Sequence, residues 1–289
     1  MKIKRKSGRD HSEQGGVKSR TLYSILFVLL FIGSLPVKSQ CEAENNAFSP
    51  GEMLTYDLYF NWKFIWIKAG DARLTTQNAT YQAKAAYRMD LYAITNKRAD
   101  RFFKMRDTIT SIFSKKLEPI YFRKGAEEGK GYTVDEGHFS YKNGLAYVDQ
   151  KRVKKDGSLI TSQESDSRCI YDMLSILAQA RSFNPDKYML GQRINFPMAT
   201  GRKVEEQILI YRGREEFEAN NDITYRCLVF SLVEMKNNKE KEVITFYITD
   251  DKNHLPVRLD MYLNFGSAKA FLKTTQGNRH PITSIVTKK

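Results

Sequence analysis

The 289-residue sequence predicts a mainly β protein, a strongly curved antiparallel sheet or open β-barrel with one central amphipathic helix. Three observations carry this. Apolar and polar residues alternate with period two along most of residues 48–275, as they do in strands with one buried face. Short turns join the alternating runs, which favours antiparallel neighbours. A single segment, Ser167–Phe183, changes to spacings of three and four.

Residues 1–39 read as an export signal. Basic residues come first, including Lys2, Arg5 and Arg20, and the apolar run Thr21–Leu35 follows. About fifteen residues is short of the roughly 20 needed to span a bilayer, and it fits the apolar core of a signal peptide. Cleavage before Gln40 and retention as an N-terminal anchor are both readings of this segment. Lipidation of Cys41 fits less well. Lys38 and Gln40 occupy positions where lipoprotein processing wants a leucine-like and a small residue.

The mature part is then residues 40–289, one β-rich domain with its core near 48–275 and a polar C-terminal tail. In "EMLTYDLYFNWKFIWIKAG", Leu54, Tyr56, Leu58, Phe60, Trp62, Phe64 and Trp66 share one parity. They predict one long strand, or a hairpin bent near Asn61. Tyr81–Ala93, Asp107–Ser114 and Pro119–Gly125 continue the alternation. Tyr132–Arg152 contains Asn143-Gly144, a strong hairpin signal. In Ser167–Phe183, Ile170, Met173, Leu174, Leu177 and Ala180 predict a helix of about four turns, capped by Asp166 or Ser167 and stopped by Pro185. The second half gives five more alternating runs, from "QILIYRGREEFE" to "SAKAFLKTT", with a hairpin loop at Thr249–Pro256. The expected total is roughly ten to twelve strands around the helix, which supplies an apolar stripe for the concave side.

Several stretches also carry a family resemblance. "FSPGEMLTYDLYFNWKFIWIKAGDARL", "YDMLSILAQAR" and "ITFYITDDKNHLPVRLDMYLNFGSAKAFL" resemble the opening strand, central helix and closing hairpin of the DUF3108 family of exported bacterial proteins. The resemblance covers about residues 48–275. It implies a Gram-negative, Bacteroidota-type source and an architecture similar to periplasmic carriers of the LolA/LolB type, which cup acyl chains in an open barrel. It carries no settled activity.

Composition excludes several functions. The formal charge is +14, but residues 1–39 hold +6 of it, leaving +8 scattered among acids over the remaining 250 residues. That is a solvated surface without the basic stripe of a nucleic-acid protein. It leaves room for a peripheral attraction to anionic lipid, glycan or lipopolysaccharide. There is no C-x-x-C, G-x-S-x-G, H-E-x-x-H or glycine-rich phosphate loop. Of three cysteines, Cys227 lies in an apolar run and reads as a buried thiol, so a bridge would join Cys41 to Cys169. Asp250, Asp251 and His254 share one loop and read as a turn, or as a weak polar or metal site. Arg106-Asp107 reads as an ion pair or a turn cap. No cofactor or metal centre is expected.

The aromatic load of 16 Tyr, 17 Phe and 2 Trp either fills a large β core or paves a cavity. If a cavity, its determinants would be Trp62, Phe64, Trp66, Met173, Leu177 and Phe265. The expected function is then a non-enzymatic, monomeric periplasmic or outer-membrane-peripheral protein binding a lipid or acyl chain. The alternatives are an assembly factor for another envelope protein or glycan, and a hydrolase using Asp250, Asp251 and His254.

Overall fold

The computed structural model describes residues 41–62, 65–129, 131–219, 222–236, 239–263 and 266–288. Residues 1–39, expected to be an export signal, together with Phe64, Phe265 and the side chain of Trp62, lie outside the described residues.

The chain is two meanders joined through a helix. The first comprises β1 (Met53–Trp62), β2 (Ile65–Tyr81), β3 (Lys84–Thr95), β4 (Met105–Ser114), β5 (Pro119–Glu128), β6 (Gly131–Lys142), β7 (Leu145–Val153) and β8 (Leu159–Asp166). Helix α1 (Met173–Arg181) follows. The second comprises β9 (Arg193–Ala199), β10 (Val204–Glu218), β11 (Ile223–Lys236), β12 (Lys239–Thr249), β13 (Pro256–Leu263) and β14 (Gly266–Gln276). A short β15 (Ile285–Lys288) pairs with the start of β11, next to the stretch that β12 covers. Neighbours pair antiparallel, and β1 pairs with β14, so the order runs from β8 down to β1, then from β14 down to β9. The result is a nearly closed antiparallel barrel with one seam, between β8 and β9.

Side chains, not a backbone ladder, stitch that seam. Glu164 accepts from the Val204 amide at 2.8 Å, the Ser162 hydroxyl donates to the Arg202 carbonyl at 2.8 Å, and Gln150 accepts from the Gly201 amide at 2.8 Å. Arg168 grips Glu206 with two hydrogen bonds of 2.8 and 2.9 Å and also binds Asp166. Both edge strands carry marks of an edge. β8 is polar from Thr161 onward, and β9 contains Pro197, which cannot donate to a ladder.

The helix is shorter than its spacing predicts. It starts at Met173 because Asp172, not Asp166 or Ser167, is the cap. Its carboxylate accepts from the Leu174 and Ser175 amides, and the Ser175 hydroxyl accepts from the Asp172 amide, a complete capping box. The preceding residues are held extended. Tyr171 bridges Met198 of β9, and Cys169 is bonded to Cys41 with their Cα atoms 5.0 Å apart. Cys227 is free and buried, and burial pushes its thiol up to about 12.

One end of the barrel is plugged. Arg181, in the last turn of α1, is fully buried. It makes two hydrogen bonds of 2.6 and 2.8 Å to Glu52, also buried, and donates to the Asn253 carbonyl in the β12–β13 loop. Asn253 in turn holds His280 and Pro281 of the C-terminal segment. Phe48, Leu54, Phe113, Leu174, Tyr225 and Leu255 pack around this network as the main core.

Removing one member of a buried ion pair strands the other charge away from water. Arg181→Ala is therefore expected to destabilise the chain by about 3–5 kcal/mol in urea unfolding, and Arg181→Met with Glu52→Gln to recover most of that loss. A loss below 1 kcal/mol for the single variant would show that the pair does not hold the plug.

Candidate functional site

The barrel is wider than its core. Between the plug and the far rim lies a cavity of about 1860 Å³, bounded by β1–β4, α1 and β9–β14. Its wall follows from strand alternation. Tyr56, Leu58 and Phe60 of β1, Met105 and Ile109 of β4, and Leu259, Met261 and Leu263 of β13 all face it. Helix α1 is apolar on two sides. Leu174 and Ala178 are buried in the main core, while Met173 and Leu177 line the cavity.

Met173 and Leu177 are thus where a ligand in this space would touch them. Trp66 is not. It is 39% exposed on the outer face, under the Lys269 ammonium at 4.5 Å. Two residues connect β1 to β2, so Trp62 pairs with Ile65 and Asn61 with Trp66. Cross-strand partners share a face, and the inward parity therefore changes from even to odd across the turn: Phe60, then Ile65 and Ile67. A bulge beside Gly70 restores even parity for Ala72 and Leu74. Gly70 is required there, since a Cβ would lie 1.9 Å from the Ile94 carbonyl oxygen.

The Asp250, Asp251 and His254 loop is built into the plug. The His254 Nδ1–H donates to the Arg181 carbonyl at 2.5 Å, and its ring stacks on Phe183. Burial lowers its pKa. Asp251 accepts from Thr249, Asn253 and Ser284, and Asp250 accepts from Arg214 and Arg226. Every one of these groups has a structural partner. Among the described residues, no group of three His, Cys, Asp or Glu is placed to hold a metal ion. None of their helices is long and apolar enough to cross a membrane.

Asp107, read from the sequence with Arg106 as an ion pair or a turn cap, is not paired with that arginine. It takes an inward position between Met105 and Ile109, and Arg106, its strand neighbour, points the other way and pairs with Asp100 at 2.5 Å. Among the described lining residues Asp107 is the only carboxylate, against Arg98, Arg101, Lys124, Arg168 and Lys269. Its Oδ1 is buried without a hydrogen-bond partner, and Lys124 Nζ stands 3.9 Å from its other oxygen. Burial pushes this carboxyl up to about 6, against the pull of Lys124.

The family model for DUF3108, described as a protein of unknown function, matches residues 55–273, from β1 to β14. The chain belongs to the DUF3108 family. No curated protein matches its sequence. A crystal structure described as a β-barrel-like protein of the domain of unknown function DUF1849, from Brucella abortus, is similar to this DUF3108 chain. It has a TM-score of 0.52 at 8% identity, covering 80% of this chain and 98% of that one. At that identity the likeness shows the fold alone.

Asp107 is expected to make this DUF3108 barrel pH-sensitive in a defined window. Its pKa is higher folded than unfolded, so the folded state holds this proton more tightly. Stability is lost as pH rises from about 4 through about 6 and is constant above that. Discounted for partial exposure, the loss is about 1–2 kcal/mol. Asp107→Asn is expected to match the wild type at pH 4 and to melt higher at pH 7. Equal melting temperatures at both pH values would show that the carboxyl is not strained by burial.

Proposed function

We propose that this DUF3108 protein is a non-enzymatic protein of the cell envelope that binds or carries an apolar or amphiphilic ligand, such as a lipid or a lipoprotein acyl chain. The observation that carries this reading is the cavity of about 1860 Å³ with an apolar wall. Pockets for drug-sized molecules reach only about 1,000 Å³. Water in such a space finds few hydrogen-bond partners, whereas each CH₂ of a hydrocarbon chain gains about 0.8 kcal/mol on entering. Lys124 and Asp107 offer the polar end of such a ligand a place in the wall.

Two further observations support an exported, periplasmic or outer-membrane-peripheral site of action in a Gram-negative cell. Residues 1–39 have the composition of an export signal. The Cys41–Cys169 bridge is a bond that persists in oxidising compartments. It also engages the one thiol near the cleavage site, leaving Cys41 nothing with which to accept a lipid.

The test is native mass spectrometry of the full-length chain, produced in a Gram-negative host and extracted from its envelope. The expected spectrum shows a polypeptide beginning at Gln40 with extra mass that denaturation releases as lipid. Met173→Arg, a change at an accessible cavity position, is expected to lower that occupancy about tenfold without altering the melting temperature, because it places a charge in the apolar space. A folded wild-type chain with no retained mass would overturn the carrier reading.

A further inference from the structure

The cavity mouth carries large apolar side chains that stay exposed to water. The β3–β4 connection, residues 96–104, contains a 3₁₀ turn (Ala99–Arg101) followed by Phe102 and Phe103, which keep 68% and 41% of their surface exposed. Ile65, in β2 next to the β1–β2 turn, is 66% exposed, and Leu263 at the end of β13 is 40% exposed. All four line the one cavity and sit on its rim. A soluble surface tolerates scattered apolar side chains, but a contiguous cluster of them marks an interaction site.

This rim is built to stay where it is. Asn96 caps the turn, its side-chain oxygen accepting from the Arg98 and Ala99 amides at 3.0 and 2.9 Å. Asn96 also donates to β2 twice, from its amide to Ala69 and from its side chain to Lys68. Asp100 is locked between Thr95 and Arg106. The two phenylalanines therefore project from a hydrogen-bonded base.

The unpaired charges around them are of one sign, since Lys104 is matched by Glu127 at 2.5 Å. Residues 97–104 hold Lys97, Arg98, Arg101 and Lys104 against Asp100, a net of +3, and Asp100 is already neutralised by Arg106. Lys97, Arg98 and Arg101 are exposed. Lys269, another cation lining the cavity, lies with its ammonium over Trp66. Aromatic side chains flanked by Lys and Arg are the pattern that settles at a bilayer interface, the rings at the acyl boundary and the cations on anionic head groups. A protein partner would have to ring an apolar patch with carboxylates to match both features, an arrangement an anionic bilayer presents everywhere on its surface. The cationic fringe favours a lipid surface.

We propose that this rim, centred on Phe102, Phe103, Arg98 and Arg101, docks the open mouth of the barrel on an anionic lipid bilayer. The proposal deepens the carrier reading by naming the partner from which the cavity is filled or to which it is emptied. Docking in this pose sets the apolar wall against the acyl layer, so a chain could pass between them without crossing water.

Vesicle co-sedimentation tests this, using phosphatidylcholine vesicles with and without phosphatidylglycerol and the chain as its host processes it. The wild type is expected to pellet with the anionic vesicles and to stay in solution with the neutral ones. Phe102→Ser with Phe103→Ser should lower the partition about tenfold or more, with an unchanged melting temperature. Arg98→Gln with Arg101→Gln should lower it about fivefold per charge removed. Equal pelleting on both vesicle types, or pelleting that the serine pair leaves intact, would overturn the proposal. So would sedimentation velocity showing a dimer that the serine pair dissolves, with no vesicle binding, since the rim would then be a self-interface. The wild-type chain, assayed both for retained lipid and for vesicle binding, separates the two readings. Docking without retained lipid removes the carrier function alone, and retained lipid without docking removes the rim alone.

Discussion

A sheet of fourteen strands curled on itself encloses more space than its own inward side chains can fill. Eight-stranded barrels are about the limit at which side chains meet across the middle. Everything else in this molecule answers to that constraint. The part of the interior next to the seam is filled by pressing β5–β7 onto β9 and the Cys169–Tyr171 segment, with Phe122, Phe139, Val148 and Phe196 between them. One end is filled by residues 41–52, helix α1 and the C-terminal segment. What remains is the cavity.

The seam explains why the helix sits where it does. β1 and β14 pair, so the break falls in mid-chain, where the two meanders meet. The segment crossing that break must travel from β8 to β9 through the interior and bury itself on the way. Its first half does so as extended chain held by the Cys41 bond and a single β-bridge, and its second half as a helix. The disulfide closes a separation of 128 residues, a long loop whose closure constrains the unfolded chain strongly in entropic accounts. It ties the N-terminal part of the plug to the one connection that no backbone ladder supports.

Strand periodicity made the wall legible from sequence, and the Asn143-Gly144 turn formed with both residues at positive φ, 54° and 74°. What escaped were places where parity or geometry changes without a marker. Gln82 and Ala83 turn β2 into β3 at φ 47° and 63°, a conformation usually signalled by Asn or Gly. That turn therefore sat hidden at the start of a run read as one strand. β8 and β9 were missed because an exposed edge strand and a proline-bearing one lack an apolar alternation. Trp66 was assigned inward because an unbroken sequence pattern crossed a two-residue turn. The Arg181–Glu52 pair and the unpartnered Asp107 oxygen depend on contacts 129 residues apart or on the curl of the sheet, which periodicity does not encode.

The distribution of polar groups bears on function as much as the cavity does. At the plugged end they are consumed: Arg181, Glu52, Asn253, His254, Asp251 and Ser284 satisfy one another or nearby backbone. Groups held this firmly are poor acids and bases, because a catalytic proton must be free to leave. At the mouth the opposite holds, with large apolar side chains left facing water. Stability is concentrated where the chain must stay shut, which permits the other end to remain unsatisfied. A filled-core assembly factor has no use for that asymmetry, since it would close its interior from both ends. A barrel with one rigid floor and one apolar rim has a direction, and a direction is what the proposed loading and unloading of a hydrophobic cargo would require.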